Sequence, residues 1–196
     1  MNLVDRAKNI IMTPKTEWPV IAAEQPNPTQ IVTGYVLPLA AIGFVAQVIG
    51  YGLVGFGPLS SFSYGLGMGL ISFIAAVAGV YIMAYVIDFL APNFGSEKNF
   101  GRAFQLVAFS YTPAWVAGIL HIIPYLGMLV LVASLYGLYL MYLGLPVMMK
   151  TPQDKVIPYL VVSIIVILVV SFLLTLILSP IILGLFGLSA LTSGAL

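Results

Sequence analysis

The chain alternates five long apolar stretches with short polar connections. A helix needs about 20 mostly apolar residues, each adding about 1.5 Å, to cross the hydrocarbon core of a bilayer. Each stretch is long enough, so the pattern predicts an all-α fold, a polytopic transmembrane helical bundle with five spans. The predicted spans are residues 31–51, 66–90, 103–121, 125–149 and 156–180, within a transmembrane domain of residues 31–186.

Residues 1–30 precede the first span and show a shorter, two-sided pattern. On a helix, the apolar residues of this lead would occupy one face and the polar residues the other. The apolar face contains Leu3, Val4, Ala7, Ile10 and Ile11, and the polar face contains Asp5, Arg6, Lys8 and Asn9. Basic residues on the polar side of a short helix are typical of helices that lie on a membrane surface. We therefore predict an amphipathic interfacial N-terminal helix, and a helix docked on the aqueous face of the bundle is the alternative.

The composition indicates a membrane protein. Of the 196 residues, 61% are hydrophobic and 7% are charged. Soluble domains carry charges at about 25% of positions, so a soluble fold could not cover its surface with so few. Lipid is therefore the expected solvent for most of the chain, which makes the lipid bilayer its first partner.

Basic residues occupy alternate connections between the predicted spans. They are Arg6, Lys8 and Lys15 before the first span, Lys98 and Arg102 between the second and third, and Lys150 and Lys155 between the fourth and fifth. Connections rich in lysine and arginine stay in the cytoplasm. The pattern predicts a multi-pass protein of the cytoplasmic (inner) membrane, with its N-terminus in the cytoplasm and its C-terminal tail, residues 187–196, outside it.

The composition also excludes several kinds of chemistry. The net charge of +1 leaves no basic surface for a nucleic acid, and the absence of cysteine excludes disulfides and thiol catalysis. A single histidine, His121, and six scattered acidic residues do not predict a metal site. We predict no catalytic residue and no cofactor, and therefore a protein that is not an enzyme.

Polar residues within the predicted spans are the candidates for a site, because lipid does not solvate them. Asp88 lies one turn from the end of the second span, and Tyr81 and Tyr85 precede it on the same helical face. This face should point into the bundle. Arg102 and Lys150 lie at the same membrane level and are the expected partners of Asp88.

The third and fourth spans contribute further tyrosines to this candidate site. The full candidate set for a polar groove or an ion-pair site is Tyr81, Tyr85, Asp88, Arg102, Tyr111, Tyr139, Tyr142 and Lys150. Two interpretations remain open. Either these residues hold the helices together, or they line a cytoplasm-facing groove that binds a lipid headgroup or a small solute.

The fourth span and the connection after it read SLYGLYLMYLGLPVMMKTPQDK over residues 134–155. This stretch resembles the signature of the bacterial branch of the Yip (Ypt-interacting-protein) family of membrane proteins. APNFG at 91–95, YTPAW at 111–115 and YVLP at 35–38 resemble other parts of the same family, so the resemblance covers nearly the whole chain.

The resemblance implies five helices with a cytoplasmic N-terminus. Eukaryotic members of the family are associated with small Ypt/Rab GTPases and with the organisation of vesicle and organelle membranes. Those members carry an Asp-Leu-Tyr-Gly-Pro type of segment before the first helix. The nearest counterpart in this chain is Glu17-Trp18-Pro19.

Two hypotheses about function follow. In the first, the chain is a non-enzymatic membrane protein that organises membrane or cytoplasmic protein partners through its cytoplasmic face, and a homo-oligomer is compatible with this role. In the second, it is a lipid or small-solute transport protein with a polar groove around Asp88. A third class, an intramembrane enzyme, would require Asp88 to pair with a tyrosine or a lysine in a water-accessible cleft.

Overall fold

A computed structural model describes residues 2–55 and 62–182 of the chain. It contains five helices that are long and apolar enough to cross a membrane, which confirms the all-α, five-span fold class. The spans are Pro28–Val54, Phe62–Phe94, Phe100–Ile122, Pro124–Met148 and Gln153–Leu173, and the helix of the fifth span continues to Ile182. The predicted tail of residues 187–196 lies outside the described residues.

Two shorter helices precede the spans. Helix α1 is Leu3–Met12 and helix α2 is Pro14–Ala23, with the single residue Thr13 between them. The side chain of Asn2 caps α1 by accepting a hydrogen bond from a backbone N–H of its first turn (3.0 Å). Proline suits the start of α2 because that position needs no N–H donor. We call α1, Thr13 and α2 the N-terminal hairpin.

The third span is the most enclosed of the five. Every residue from Ala103 to Ser110 is buried, so its polar side chains face protein rather than lipid. The helix is interrupted at Tyr111, near Pro113, which cannot donate to the carbonyl four residues earlier. The hydroxyl of Thr112 donates to that carbonyl instead, at 2.7 Å.

The first and second spans approach each other closely through glycine. A Cβ atom added at Gly65 would lie 2.6 Å from the backbone nitrogen of Gly52, and one added at Gly69 would lie 2.9 Å from the ring of Phe44. No larger residue fits at these distances without movement. Small residues four positions apart let two helix backbones meet in this way.

The connections at one end of the bundle are bonded to each other. The hydroxyl of Ser96 donates to that of Thr151 (2.9 Å), and the N–H of Glu97 donates to the carbonyl of Met149 (2.8 Å). The ammonium of Lys150 pairs with the carboxylate of Glu97 at 2.6 Å. We call this surface the basic end, and it carries Lys98, Arg102, Lys150 and Lys155.

Candidate functional site

The N-terminal hairpin is part of the protein core. Ile10 of α1 and Trp18 and Ile21 of α2 are 0–1% exposed. The hairpin packs against the third and fourth spans through these side chains. Burial of three large apolar residues stabilises the docked position by about 1.5–3 kcal/mol each, before the entropy of ordering is subtracted.

A glycine in the fourth span makes room for the tryptophan of α2. A Cβ atom added at Gly144 would lie 2.7 Å from the ring of Trp18 and 2.5 Å from a methyl group of Leu106. Because these separations are shorter than any ordinary carbon contact, Gly144 forms a notch that the indole fills. The hairpin is therefore fitted to the bundle by shape as well as by apolarity.

Arg6 joins the two helices of the hairpin inside the protein. Its guanidinium forms ion pairs with Glu17 and with Glu24 of the α2 segment, and it lies over the ring of Phe109, 5.6 Å from the centroid. The prediction that Arg6 lies on the exposed polar face of α1 is therefore wrong, and Val4, predicted on the apolar face, is 67% exposed. The two carboxylates satisfy the charge that an isolated buried arginine would leave unpaired.

Arg102, at the start of the third span, holds the other end of α2. Its Nη1 atom donates to the backbone carbonyl of Glu24 (2.9 Å) and to the side chain of Gln105 (3.1 Å). Carbonyls at a helix C-terminus have no partner within the helix, so an arginine there is stabilising. The expectation that Arg102 pairs with Asp88 is not met.

Tyrosine hydroxyls fix two further contacts between helices. Tyr136 of the fourth span donates to the carbonyl of Ile11, near the end of α1, at 2.7 Å. Tyr35 of the first span and Thr112 of the third share a buried hydrogen bond of 2.7 Å. The first bond positions the tip of the hairpin against the fourth span, and the second links the first span to the break in the third.

A small polar cavity lies where α2 leads into the first span. Its volume is about 280 Å³. It is lined mainly by amide and acid side chains, with Phe109 on its apolar side, and its polar residues are Glu24, Gln25, Asn27, Gln30 and Gln105. Amides can both donate and accept hydrogen bonds, so this cavity suits a small polar molecule or water.

Asp88 lies near the basic end, at the contact between the second and fifth spans. It is half-buried, and among the described residues its Oδ1 atom has no hydrogen-bond partner. Tyr159 of the fifth span donates to the carbonyl of Ile87, next to it. Lys150 pairs with Glu97 instead of Asp88, so neither expected cation reaches the carboxylate.

The tyrosines of the predicted site do not form one groove. Tyr81 is half-buried against Phe104, and Tyr85 is 61% exposed, so only part of the predicted face points inward. The remaining three lie on the third and fourth spans: Tyr111 is half-buried, and Tyr139 and Tyr142 are 43% and 37% exposed. Within residues 2–55 and 62–182, no hydrogen bond or ion pair joins any two of the eight candidate residues.

Sequence reasoning missed the acidic side of the hairpin site. Glu17 and Glu24 are seven residues apart, which places both on one face of a helix. Two carboxylates on an otherwise apolar face indicate a buried basic partner, and the preceding helix contains one in Arg6. This spacing was the available signal. Nothing in the sequence pairs Tyr35 with Thr112, because that contact depends on how separate spans pack.

The comparisons with known proteins agree with this architecture. A family model described as the Yip1 domain matches residues 8–175. The inner membrane protein YohC of Escherichia coli (strain K12) is 26% identical over 151 residues, which cover 72% of this chain and 77% of that protein. The protein of the same name from Escherichia coli O6:H1 (strain CFT073) is similar to the same extent. No solved structure matches.

The family match begins inside the N-terminal hairpin and ends in the helix of the fifth span. It therefore covers the hairpin from Lys8 onward, together with the five helices of the described residues that can cross a membrane. The chain belongs to the Yip1 domain family of integral membrane proteins.

Proposed function

We propose that this protein is a non-enzymatic membrane protein that organises membrane or partner proteins through its cytoplasmic face. The docked hairpin is the observation that carries the proposal. Its inner face is fixed in the core by Trp18 and by the ion pairs of Arg6, while its outer face exposes polar residues of both signs. The outer polar residues of this docking face are Asp5, Lys8 and Asn9 of α1.

A polar surface that is already folded is better suited to binding a partner than a disordered tail is. A segment that must fold when it binds loses affinity to the entropy of ordering, whereas a preformed helix face does not. The charged side chains of the hairpin also offer partner selection through complementary charge. The hairpin therefore has the properties of a small docking platform.

The placement of this platform in the cytoplasm rests on charge. Basic residues cluster at the end of the bundle where α2 meets Arg102, and lysine-rich and arginine-rich connections favour the cytoplasm. The non-enzymatic part rests on composition, since the chain has no cysteine. Its one histidine, His121, lies at the opposite end of the third span from Arg102, bonded to the carbonyl of Gly118 at 3.0 Å.

Crosslinking from single positions tests the proposal without disturbing the core. Removal of residues 1–24 would be a poor test, because it would take Trp18 and Ile21 out of the bundle. A photoreactive amino acid placed at Asn9, which is exposed, should capture a defined protein in intact cells. The same amino acid at Met128, near the other end of the fourth span, is the control.

Charge reversal then tests whether binding of the captured protein depends on the charge of this surface. Lys8→Glu should lower the yield of that crosslink, and Lys8→Arg should leave it unchanged. Capture of the same proteins from Met128, or an Asn9 crosslink that is insensitive to Lys8→Glu, would contradict an organising role for the hairpin.

Transport of a lipid or a small solute is the second candidate. The buried Oδ1 atom of Asp88, without a partner in the described part of the chain, favours it, because an intramembrane carboxylate is costly unless it has a role. Purified protein in sealed vesicles should then move a labelled phospholipid or solute, and Asp88→Asn should abolish the movement. No movement, with Asp88→Asn changing only stability, would eliminate this candidate.

A further inference from the structure

The tip of the N-terminal hairpin forms an open groove against the fourth span, on a side that the proposed docking face does not use. The groove has a volume of about 380 Å³. Its polar lining is Thr13, Lys15 and Thr16 from the hairpin and Tyr136 and Tyr139 from the fourth span.

The groove lies beside the middle of the fourth span. Tyr136 is the midpoint of the span Pro124–Met148, and its bond to the carbonyl of Ile11 fixes the tip of the hairpin at this level. At 1.5 Å per residue, Tyr136 is about 18 Å along the helix from Met148. The groove therefore opens along the side of the span rather than beyond its end.

The groove offers donors and a positive charge, and no acidic residue lines it. The hydroxyls of Thr13, Thr16 and Tyr136 already donate to backbone carbonyls. The ammonium of Lys15 and the hydroxyl of Tyr139 have no hydrogen-bond or ion-pair partner within residues 2–55 and 62–182. An anion is the ligand that would pair with this ammonium and accept a hydrogen bond from this hydroxyl.

The surface next to the groove is apolar and faces outward. Val132, Leu135 and Tyr139 share one helical face, at spacings of three and four residues. Val132 and Leu135 are 64% and 66% exposed. A ligand that fits both the groove and the adjacent apolar face must contain an anionic group joined to long apolar chains.

We propose that this groove binds the headgroup of an anionic phospholipid. The phosphate contacts the ammonium of Lys15 and accepts a hydrogen bond from the hydroxyl of Tyr139. The acyl chains lie along the face of Val132 and Leu135. This site is separate from the partner surface proposed above and does not depend on it.

Native mass spectrometry of the purified full chain tests the site, with phosphatidylglycerol and phosphatidylcholine as probes. Unmodified protein should retain phosphatidylglycerol in preference. Lys15→Gln should lower this retention about fivefold, since one basic residue near anionic lipid contributes about 1 kcal/mol. Lys8→Gln is the matched control, because Lys8 is an exposed lysine of the same hairpin outside the groove, and its effect should stay below about twofold.

Equal losses for Lys15→Gln and Lys8→Gln would overturn the proposal, because they would indicate a general surface charge effect. Inorganic phosphate or soluble glycerol phosphate that displaces the lipid at equal concentration would also overturn it, in favour of a free phosphate site.

A photoreactive phosphatidylglycerol with its reactive group on an acyl chain gives a second measurement on the unmodified protein. It should label the peptide that contains Val132 and Leu135. Labelling spread evenly over the five spans would contradict the site even if Lys15→Gln failed to fold.

Discussion

Replacement of Arg6 should release the N-terminal hairpin from the bundle. The side chain of Arg6 is 5% exposed and that of Glu17 is 10% exposed, so Arg6→Gln would leave a buried carboxylate without its counter-charge. Loss of one member of a buried ion pair costs about 3–5 kcal/mol. Glu24 is 41% exposed, so water can hydrate its carboxylate when Arg6 is replaced, and the loss of this second ion pair adds little to the cost. We therefore take about 3 kcal/mol, the lower end of that range.

A thiol reports the opening of the hairpin. The chain has no cysteine, so a single Ala7→Cys substitution introduces the only thiol, at a position that is 8% exposed. When the hairpin closes faster than the reagent reacts, the maleimide labelling rate follows the open population. Arg6→Gln should raise that rate about 150-fold, which is the factor for about 3 kcal/mol. Rates are normalised to those of the detergent-unfolded protein.

Two companion variants make the experiment specific. Lys150→Gln removes an ion pair whose side chains are 69% and 59% exposed, and it should change the rate less than about threefold. Arg6→Gln combined with Glu17→Gln removes the orphaned charge and should recover part of the loss. A labelling rate for Arg6→Gln within about threefold of the parent would refute the reasoning, because the ion pairs of Arg6 would then not hold the hairpin.

Two further predictions concern packing and hydrogen bonding, and thermal unfolding in detergent checks both. Gly144→Ala should destabilise the protein by about 1–3 kcal/mol, because the added methyl group would overlap the indole of Trp18. Gly79→Ala is the control and should be neutral or stabilising, because its methyl group meets nothing within 4 Å. Equal effects of the two substitutions would contradict the notch. Tyr35→Phe should cost about 1 kcal/mol by removing the bond to Thr112, and Tyr85→Phe, at an exposed position, should cost less than about 0.5 kcal/mol.

The sequence predicted the spans because each helix must by itself be long and apolar enough to cross the membrane. Every helix that crosses the bilayer must match the thickness of its hydrocarbon core, so length and apolarity are sufficient. The motif over residues 134–155 likewise indicated the family that the comparisons confirm. Both signals are local in the chain and need no knowledge of packing.

The candidate site was less predictable because it depends on which helices meet. The amphipathic pattern of α1 assigned Arg6 to the polar face, since the pattern of one helix cannot reveal carboxylates on another. Tyr85 was expected to point inward from its spacing to Asp88, yet it is exposed beside Phe100 near the end of its span. Tyrosine is common at the edge of a membrane, where it needs no protein partner.

The hairpin carries polar residues to Tyr136, halfway along the fourth span. From there to Pro124 the span covers about 18 Å at 1.5 Å per residue. A hydrocarbon core is about 30 Å thick, so we expect the lipids beside the hairpin to compress or tilt. Hydrophobic mismatch of this kind costs fractions of a kcal/mol per Å and is smaller in thin bilayers. The docked hairpin would thus sort the protein toward the thinner regions of its membrane.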